Sequence, residues 1–253
     1  MKYFLSIAAS DPSGGAGIQQ DLKTAQYFGF WGLSVITALT VQDFNQVCSV
    51  YPVEKKILED QLKCIFKAFT PDCIKIGLIT DIEQLDLLSF YLNKYKPFTV
   101  LDPVFKSSSG FDFIKKDYIA HLKACLLNQI DIITPNCNEL SLLLEENISD
   151  YKEALIATKD FAKHNRCQFY LKGGHFSDQQ IKEAFVSSNV VIEFLHPRKS
   201  WKYAHGTGCA FSSALAINQI IHHDIKKALH ESHRYVDEFY EAQNGLSNLQ
   251  SFN

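Results

Sequence analysis

The chain has 253 residues, 46% of them apolar and 21% charged, with a formal net charge of -3. That is enough chain to bury a sizeable core as one domain over residues 1–253, and it lacks both the basic excess that nucleic acid binding leaves and any apolar run long enough to span a membrane. The lysine pairs Lys55-Lys56, Lys115-Lys116 and Lys226-Lys227 read as solvated helix faces.

Tyr3 to Ala9 is a short apolar run that ends in Ser10-Asp11-Pro12-Ser13-Gly14-Gly15-Ala16-Gly17, which reads as a buried strand entering a glycine loop. The run is too short for a signal peptide. A helix follows from about Ala16, its apolar face carried by Ile18, Leu22, Ala25 and Phe28 and its end set by Gly29. Leu33 to Val41 is β-branched and predicts a second strand ending at Gln42. The pattern then predicts a helix over 55–69, a strand over 73–79, a helix over 82–95, a strand over 99–101 that delivers Asp102-Pro103, a helix over 118–128 and a strand over 130–134 that delivers Pro135-Asn136.

Helices over 138–144 and 151–164 come next, then the strand Phe169-Tyr170-Leu171, which ends in Lys172-Gly173-Gly174-His175. The alternation breaks there. Residues 183–187 and 190–195 flank Ser188-Asn189 and predict an antiparallel hairpin at the sheet edge. Two helices close the chain, over 206–222 and from 225 to about 243, and 245–253 reads as a frayed tail. Strand and helix alternating in this way predict a three-layer α/β/α fold with a mostly parallel sheet. The seven cysteines show no C-x-x-C pair or zinc-like spacing and read as reduced thiols of a cytoplasmic protein.

The sharpest local feature is His205-Gly206-Thr207-Gly208-Cys209, which runs straight into a helix whose apolar face is Ala210, Ala214, Ile217 and Ile221. The first N–H groups of a helix have no internal partner and the macrodipole adds positive charge there, so this turn is suited to an anion such as phosphate. Cys209 sits in that field, where a thiol pKa is pulled down, as a nucleophile or proton acceptor; the plainer alternative is a small buried hydrophobe. Taken singly, Asp11 reads as a turn residue, Gln42 as a strand-end cap, Asn136 and Glu139 as a helix cap with its neighbour, and Lys172 as a surface lysine. All of them fall beyond the carboxyl ends of strands, where such sheets bind ligands.

In Ser10 to Gln19 with Asp21-Leu22-Lys23-Thr24, Ser34 to Thr40, Lys75-Ile76-Gly77, Leu101-Asp102-Pro103-Val104, Ile133 to Asn136 with Glu139, Lys172 to His175, and His205 to Cys209 with Ser212-Ser213, the chain resembles the hydroxymethylpyrimidine and phosphomethylpyrimidine kinases of thiamine biosynthesis, within the ribokinase-like superfamily. The resemblance implies transfer of the ATP γ-phosphate to an aminopyrimidine hydroxymethyl group and then to its monophosphate, with Mg²⁺, in a homodimer. It places Gly206, Gly208 and Thr207 on the phosphates and Cys209 at the position of the catalytic base. Asn136, Glu139 and Lys172 fall to the nucleotide, with Asp102 and Glu139 near the metal. Asp21 and Gln42 are implied as hydrogen-bonding partners of the pyrimidine, in a pocket lined by Ala9, Gly15 and Val104.

Three departures stand out. Ala9 replaces a usual glycine, the flap Phe105 to Gly110 carries serine where relatives have lysine or threonine, and the C-terminal ending differs. Pyridoxal kinase chemistry and a nucleotide-binding protein without turnover are the competing readings; Gln42 and Asp21 favour the aminopyrimidine, and Cys209, Asn136, Glu139 and Lys172 favour turnover. Gln42→Leu is expected to raise the KM for the pyrimidine far more than it lowers thermal stability; equal KM values in the two proteins would remove Gln42 from the pocket.

Overall fold

The computed structural model describes residues 1–106, 110–114, 117–173, 180–199, 201 and 204–249, with side chains up to Gly245 in the last helix. The flap serines Ser107 to Ser109, Lys115 and Lys116, and Gly174 and His175 lie outside the described residues. In chain order the elements are β1 (Tyr3–Ser10), α1 (Gly17–Tyr27), β2 (Trp31–Gln42), β3 (Val47–Pro52), α2 (Lys55–Ala68), β4 (Cys73–Ile76), α3 (Ile82–Tyr95), β5 (Phe98–Leu101) and α4 (Tyr118–Cys125). After a 3-10 turn at Leu127–Gln129 come β6 (Ile132–Ile133), α5 (Cys137–Leu144), α6 (Tyr151–His164), β7 (Gln168–Leu171), β8 (Gln180–Val186), β9 (Val191–Pro197), α7 (Thr207–His222) and α8 (Ile225–Leu249).

The described strands form one sheet in the order β3-β2-β1-β4-β5-β6-β7-β8-β9. The six strands from β2 to β7 in that order run parallel, with β3 antiparallel at one edge and β8 and β9 antiparallel at the other. Neighbouring residues of the central strands face opposite layers. Leu5, Ile74, Leu101 and Ile133 pack with Leu58, Leu88, Leu122 and Leu140 from the α2–α6 side. Phe4, Cys73, Val100 and Ile132 pack with Ala25, Leu215, Ile217 and Leu229 from α1, α7 and α8. Burial on both faces is why these strands read as continuous apolar runs, each large side chain contributing about 1.5–3 kcal/mol.

From β1 the chain steps outward to β2 and then returns to β4 on the other side of β1, so the order reverses between β1 and β4. The crevice at the carboxyl ends of such a pair is where doubly wound sheets bind ligands. Here it lies beside Ser10 and Ile76.

The predicted elements are present, with four adjustments. β3 was not expected: it is an edge strand whose residues are all partly or fully exposed, so it has no apolar run to announce it. The predicted strand over 73–79 stops at Ile76, and the predicted helix over 118–128 divides at Cys125 into α4 and the 3-10 turn. The last helix passes Gln243 and continues to Leu249, so the expected frayed tail is helical over its first five residues. No described helix is long and apolar enough to cross a membrane.

Buried polar side chains tie the layers together. Gln84 on α3 is fully buried; its amide donates to Thr37 O at 2.8 Å and Val53 O at 3.1 Å, and its oxygen accepts from the Thr80 N–H and hydroxyl, both at 3.2 Å. Gln84→Leu keeps the volume but strands these partners, each costing about 1–3 kcal/mol when buried and unpaired. Urea unfolding is expected to show a loss of about 3 kcal/mol; a loss below about 0.5 kcal/mol would show that water reaches the freed groups.

Candidate active site

β1 delivers Ser10, and Asp11 organises the turn that follows. Its carboxylate accepts from the Ser13 N–H at 2.8 Å, the Ser13 hydroxyl at 2.7 Å and the Ala16 N–H at 2.8 Å. Burial works to raise the Asp11 pKa, yet the hydrogen bonds from Gln42, Ser13 and Ala16 hold it below the ordinary carboxylate value. Gly17 opens α1 with φ +56°, and a Cβ there would stand 2.3 Å from the Ala9 carbonyl oxygen. Gly206 has φ +84°, and its Cβ would stand 1.8 Å from the Gly15 carbonyl oxygen. Both positions demand glycine, and the second brings the two glycine turns into backbone contact.

His205 fastens the same junction. Its Nε2 lies 3.1 Å from Asp11 Oδ2, its carbonyl accepts from the Tyr240 hydroxyl at 2.9 Å, and Phe44 meets its ring edge-on. Gly206 is the N-cap of α7 and supplies no side-chain cap, which leaves first-turn N–H groups turned toward the cavity. Cys209, in that first turn, accepts a hydrogen bond from the Gly17 N–H, so its sulfur sits between the N-termini of α1 and α7. Burial nevertheless pushes its pKa up to about 11, with Asp21 and Asp102 adding to the shift and Lys75 opposing it. The depressed thiol expected from the helix N-terminus is therefore not found: desolvation and two carboxylates outweigh the dipole.

Below this turn lies a buried ion pair. Lys75 on β4 donates to both Asp21 oxygens at 2.9 and 3.0 Å, and neither side chain is exposed. The Ser6 and Ser213 hydroxyls complete the Asp21 shell at 2.5 and 2.9 Å. Burial opposes the Lys75 charge, but Asp21, Cys209 and Asp102 hold its pKa above the usual lysine range.

A second charged group stands where β5, β6 and β7 end. Asp102 is buried and accepts from Lys172 Nζ at 2.8 Å, Thr134 Oγ1 at 3.1 Å and Ser212 Oγ at 3.4 Å. Asn136 and Glu139 form a reciprocal capping box at the start of α5: Asn136 Oδ1 accepts the Glu139 N–H at 2.9 Å, and Glu139 Oε2 accepts the Asn136 N–H at 2.7 Å. Lys172 lies 3.5 Å from that same Glu139 oxygen. Burial raises Asp102, but Lys172 and then Lys75 reverse this and keep it below the carboxylate norm. Glu139 has the poorer share of Lys172: burial, with Asp102 adding to it, lifts its pKa to about 7. Lys172 itself stays protonated, its burial outweighed by the two carboxylates.

These groups open onto one cavity of about 780 Å³. Gly206, Thr207, Gly208, Cys209 and Lys172 line it, as do Asp102, Asn136 and Glu139. A Cβ on Gly208 would stand 3.6 Å from Lys172 Nζ and 3.7 Å from Asp102 Oδ2, so the glycine turn and the charged group share one end. Ala9, Gln42 and Val104 also line the cavity. Two expected pocket residues do not. Gly15 packs against His205, whose Cδ2 is 2.5 Å from where a Gly15 Cβ would be. Asp21 is sealed by Ser6, Lys75 and Ser213 and has no face toward a ligand, so its contact with a pyrimidine gives way to a role through Lys75.

Sequence reasoning gave no role to Lys75 or Phe44, both of which line the cavity. Lys75-Ile76-Gly77 is part of the resemblance, but the role of Lys75 is not readable there because a lysine inside an apolar strand has to find its anion by tertiary contact. The Phe44 loop did leave a readable signal: Asp43 accepts from the Asn45 and Gln46 N–H groups, an Asx turn directly after the β-branched run of β2. Lys106, in the flap, pairs with Asp112 at 3.3 Å.

Comparison with known proteins agrees with this geometry. A family model described as phosphomethylpyrimidine kinase matches residues 11–250. The hydroxymethylpyrimidine/phosphomethylpyrimidine kinase of Aquifex aeolicus is 33% identical over 92% of this chain and 92% of its own length. The Escherichia coli protein of the same name is 36% identical over 84% of this chain and 80% of its own length. The crystal structure of phosphomethylpyrimidine kinase from Clostridium difficile superposes with a TM-score of 0.82 at 31% identity, covering 94% of this chain and 99% of that one. A chain matched this fully, with the glycine turns and charged residues of its motifs gathered at one cavity, belongs to the phosphomethylpyrimidine kinase family, the ribokinase-like kinases of thiamine biosynthesis.

Proposed function

We propose that the cavity binds 4-amino-5-hydroxymethyl-2-methylpyrimidine, or its monophosphate, beside ATP and that the γ-phosphoryl group crosses between them at the Gly206–Cys209 turn. The observation that carries this reading is the meeting of two uncapped helix N-termini, those of α1 and α7, with Lys172 at one end of the cavity. Phosphoryl transfer asks for in-line positioning and for neutralisation of the equatorial oxygens. The N–H groups at the start of α7 and the Lys172 ammonium supply fixed positive charge there. Gln42 and the Ala9 and Val104 walls hold the pyrimidine, since a carboxamide both donates to and accepts from an aminopyrimidine edge. The homodimer implied by the resemblance and the cytoplasmic location read from the cysteines belong to the same proposal.

The carboxylates fit a divalent cation. Asp102 and Glu139 both face Lys172, and burial lifts Glu139 to about pKa 7 because Lys172 offsets only part of it while Asp102 adds to it. Both offer the oxygen ligands that Mg²⁺ prefers, and because Mg²⁺ keeps several waters Glu139 would act through them. Bound Mg²⁺ would neutralise the nucleotide phosphates. Cys209 holds the acceptor hydroxyl and takes its proton as a thiolate, a form that grows about tenfold per pH unit below its pKa.

The reading is tested by Mg²⁺-dependent turnover of the hydroxymethyl pyrimidine, its monophosphate and pyridoxal in parallel. Turnover of both pyrimidines is expected, and turnover of pyridoxal alone would overturn it. Cys209→Ala is expected to lower kcat by about 100-fold or more and to flatten the rise of kcat between about pH 7 and 9. A smaller loss with the slope retained would remove Cys209 as the base.

Glu139 adds a pH signature in stability. Its folded pKa, about 7, is raised above the unfolded value, so its contribution is present in full below the unfolded pKa and is lost as pH rises through 7. Between about pH 5 and 8 the wild type is expected to lose about 2 kcal/mol relative to Glu139→Gln, read by urea unfolding at both pH values. Parallel behaviour of the two proteins would show that Glu139 is already ionised at pH 5.

A further inference from the structure

At the β8–β9 edge of the sheet a second cluster lines the cavity, outside the residues assigned above to phosphoryl transfer. Glu183 on β8, His196 on β9 and His233 on α8 converge there. Glu183 Oε2 lies 3.7 Å from His196 Nε2 and 3.7 Å from His233 Nε2. The two imidazoles approach to 4.2 Å between ring centres, and the three ligand atoms all fall within 4.8 Å of one another. Bonds of about 2.0–2.2 Å around a tetrahedral Zn²⁺ put its ligand atoms roughly 3.3 Å apart, so small side-chain shifts close this set.

The surroundings favour a cation. His196 Nε2 is buried and has no hydrogen-bond partner among the described residues. Burial, with His196 and His230 adding to it, lowers the His233 pKa to about 3, which leaves the ring neutral, the form that binds metal. Glu183 is anchored from behind: its Oε1 accepts from the Gly173 N–H at 3.1 Å and its Oε2 from the Tyr170 hydroxyl at 2.7 Å. Such partners orient a ligating carboxylate. His233 Nε2 also lies 2.5 Å from the Tyr170 oxygen; because that hydroxyl donates to Glu183, Nε2 carries the ring proton there, and the imidazole takes a metal as the Nδ1–H tautomer, giving up the Tyr170 contact. Two imidazoles and one carboxylate suit zinc, whereas Mg²⁺ takes oxygen ligands, so this site is chemically distinct from the phosphate end of the cavity.

We propose that Glu183, His196 and His233 form a binding site for a tetrahedral divalent transition metal, Zn²⁺ above all, with water as the fourth ligand, and that the metal pins the β8–β9 hairpin to α8.

The test uses the full chain freed of metal, titrated with Zn²⁺ by calorimetry and with Co²⁺ by visible absorption. One equivalent of Zn²⁺ is expected to bind and raise Tm, with affinity weakened at least about tenfold in both His196→Ala and His233→Gln. The Co²⁺ spectrum is expected to lack a sulfur-to-metal charge-transfer band. No binding, affinity unchanged by His196→Ala, or a thiolate band would each overturn the proposal, the last by placing the metal on cysteines such as Cys125 of the Asp86–His121–Cys125 group. If His233→Gln fails to fold, His196→Ala decides alone, because His196 Nε2 makes no hydrogen bond among the described residues and meets Glu183 only at 3.7 Å.

Discussion

One ammonium group serves two buried carboxylates. Lys172, the residue after β7, lies 2.8 Å from Asp102 and 3.5 Å from Glu139, and the nearer carboxylate takes most of its charge. Buried charges are costly unless paired, so the remainder of the cluster is arranged around this shortage. Thr134 and Ser212 donate to Asp102, and the Asn136 capping box donates to Glu139. The deficit that remains is one that a cation at the phosphate end of the cavity would fill. The cluster lies at the carboxyl ends of three adjacent parallel strands because the sheet topology puts their termini together.

Rigidity comes from below and from the side. Asp21 and Lys75 join α1 to β4, and Ser6 and Ser213 extend the same network to β1 and α7. An isolated buried pair of this kind adds little net stability, since desolvation offsets most of the attraction, but loss of either partner leaves an uncompensated charge. Its effect is positional. It fixes the helix that carries Cys209 relative to the strand that ends beside it, while the Gly206 and Gly15 backbones meet too closely for any Cβ. A site held this way needs little reorganisation when charge develops in the transition state.

Much of this was legible in the sequence because it rests on local rules. Gly29, with φ +73°, ends α1 where the pattern placed it. Asn136 and Glu139 are both a cap and a site pair, so the plain and the functional readings of those residues are true together. What escaped depends on distant partners. Asp21, implied by the resemblance as a partner of the pyrimidine, is instead paired with Lys75, 54 residues away. The Cys209 pKa turns on burial and on Asp21 and Asp102, none of which a helix-start pattern encodes. β3 stayed hidden because an exposed edge strand carries little apolar signal. Glu183, His196 and His233 come from two strands and a helix, with spacings that match no ligand motif.

Burial holds Glu139 near pKa 7 because Lys172 offsets only part of it, and a Mg²⁺–nucleotide complex would supply further positive charge beside it. Side-chain carboxyl NMR, titrating Glu139 with and without a Mg²⁺–nucleotide complex, tests it most directly. Ionisation near pH 7 in the free protein is expected, with a fall of at least about one pKa unit on adding the complex. Titration at the ordinary glutamate value in the free protein, unchanged by the complex, would contradict it.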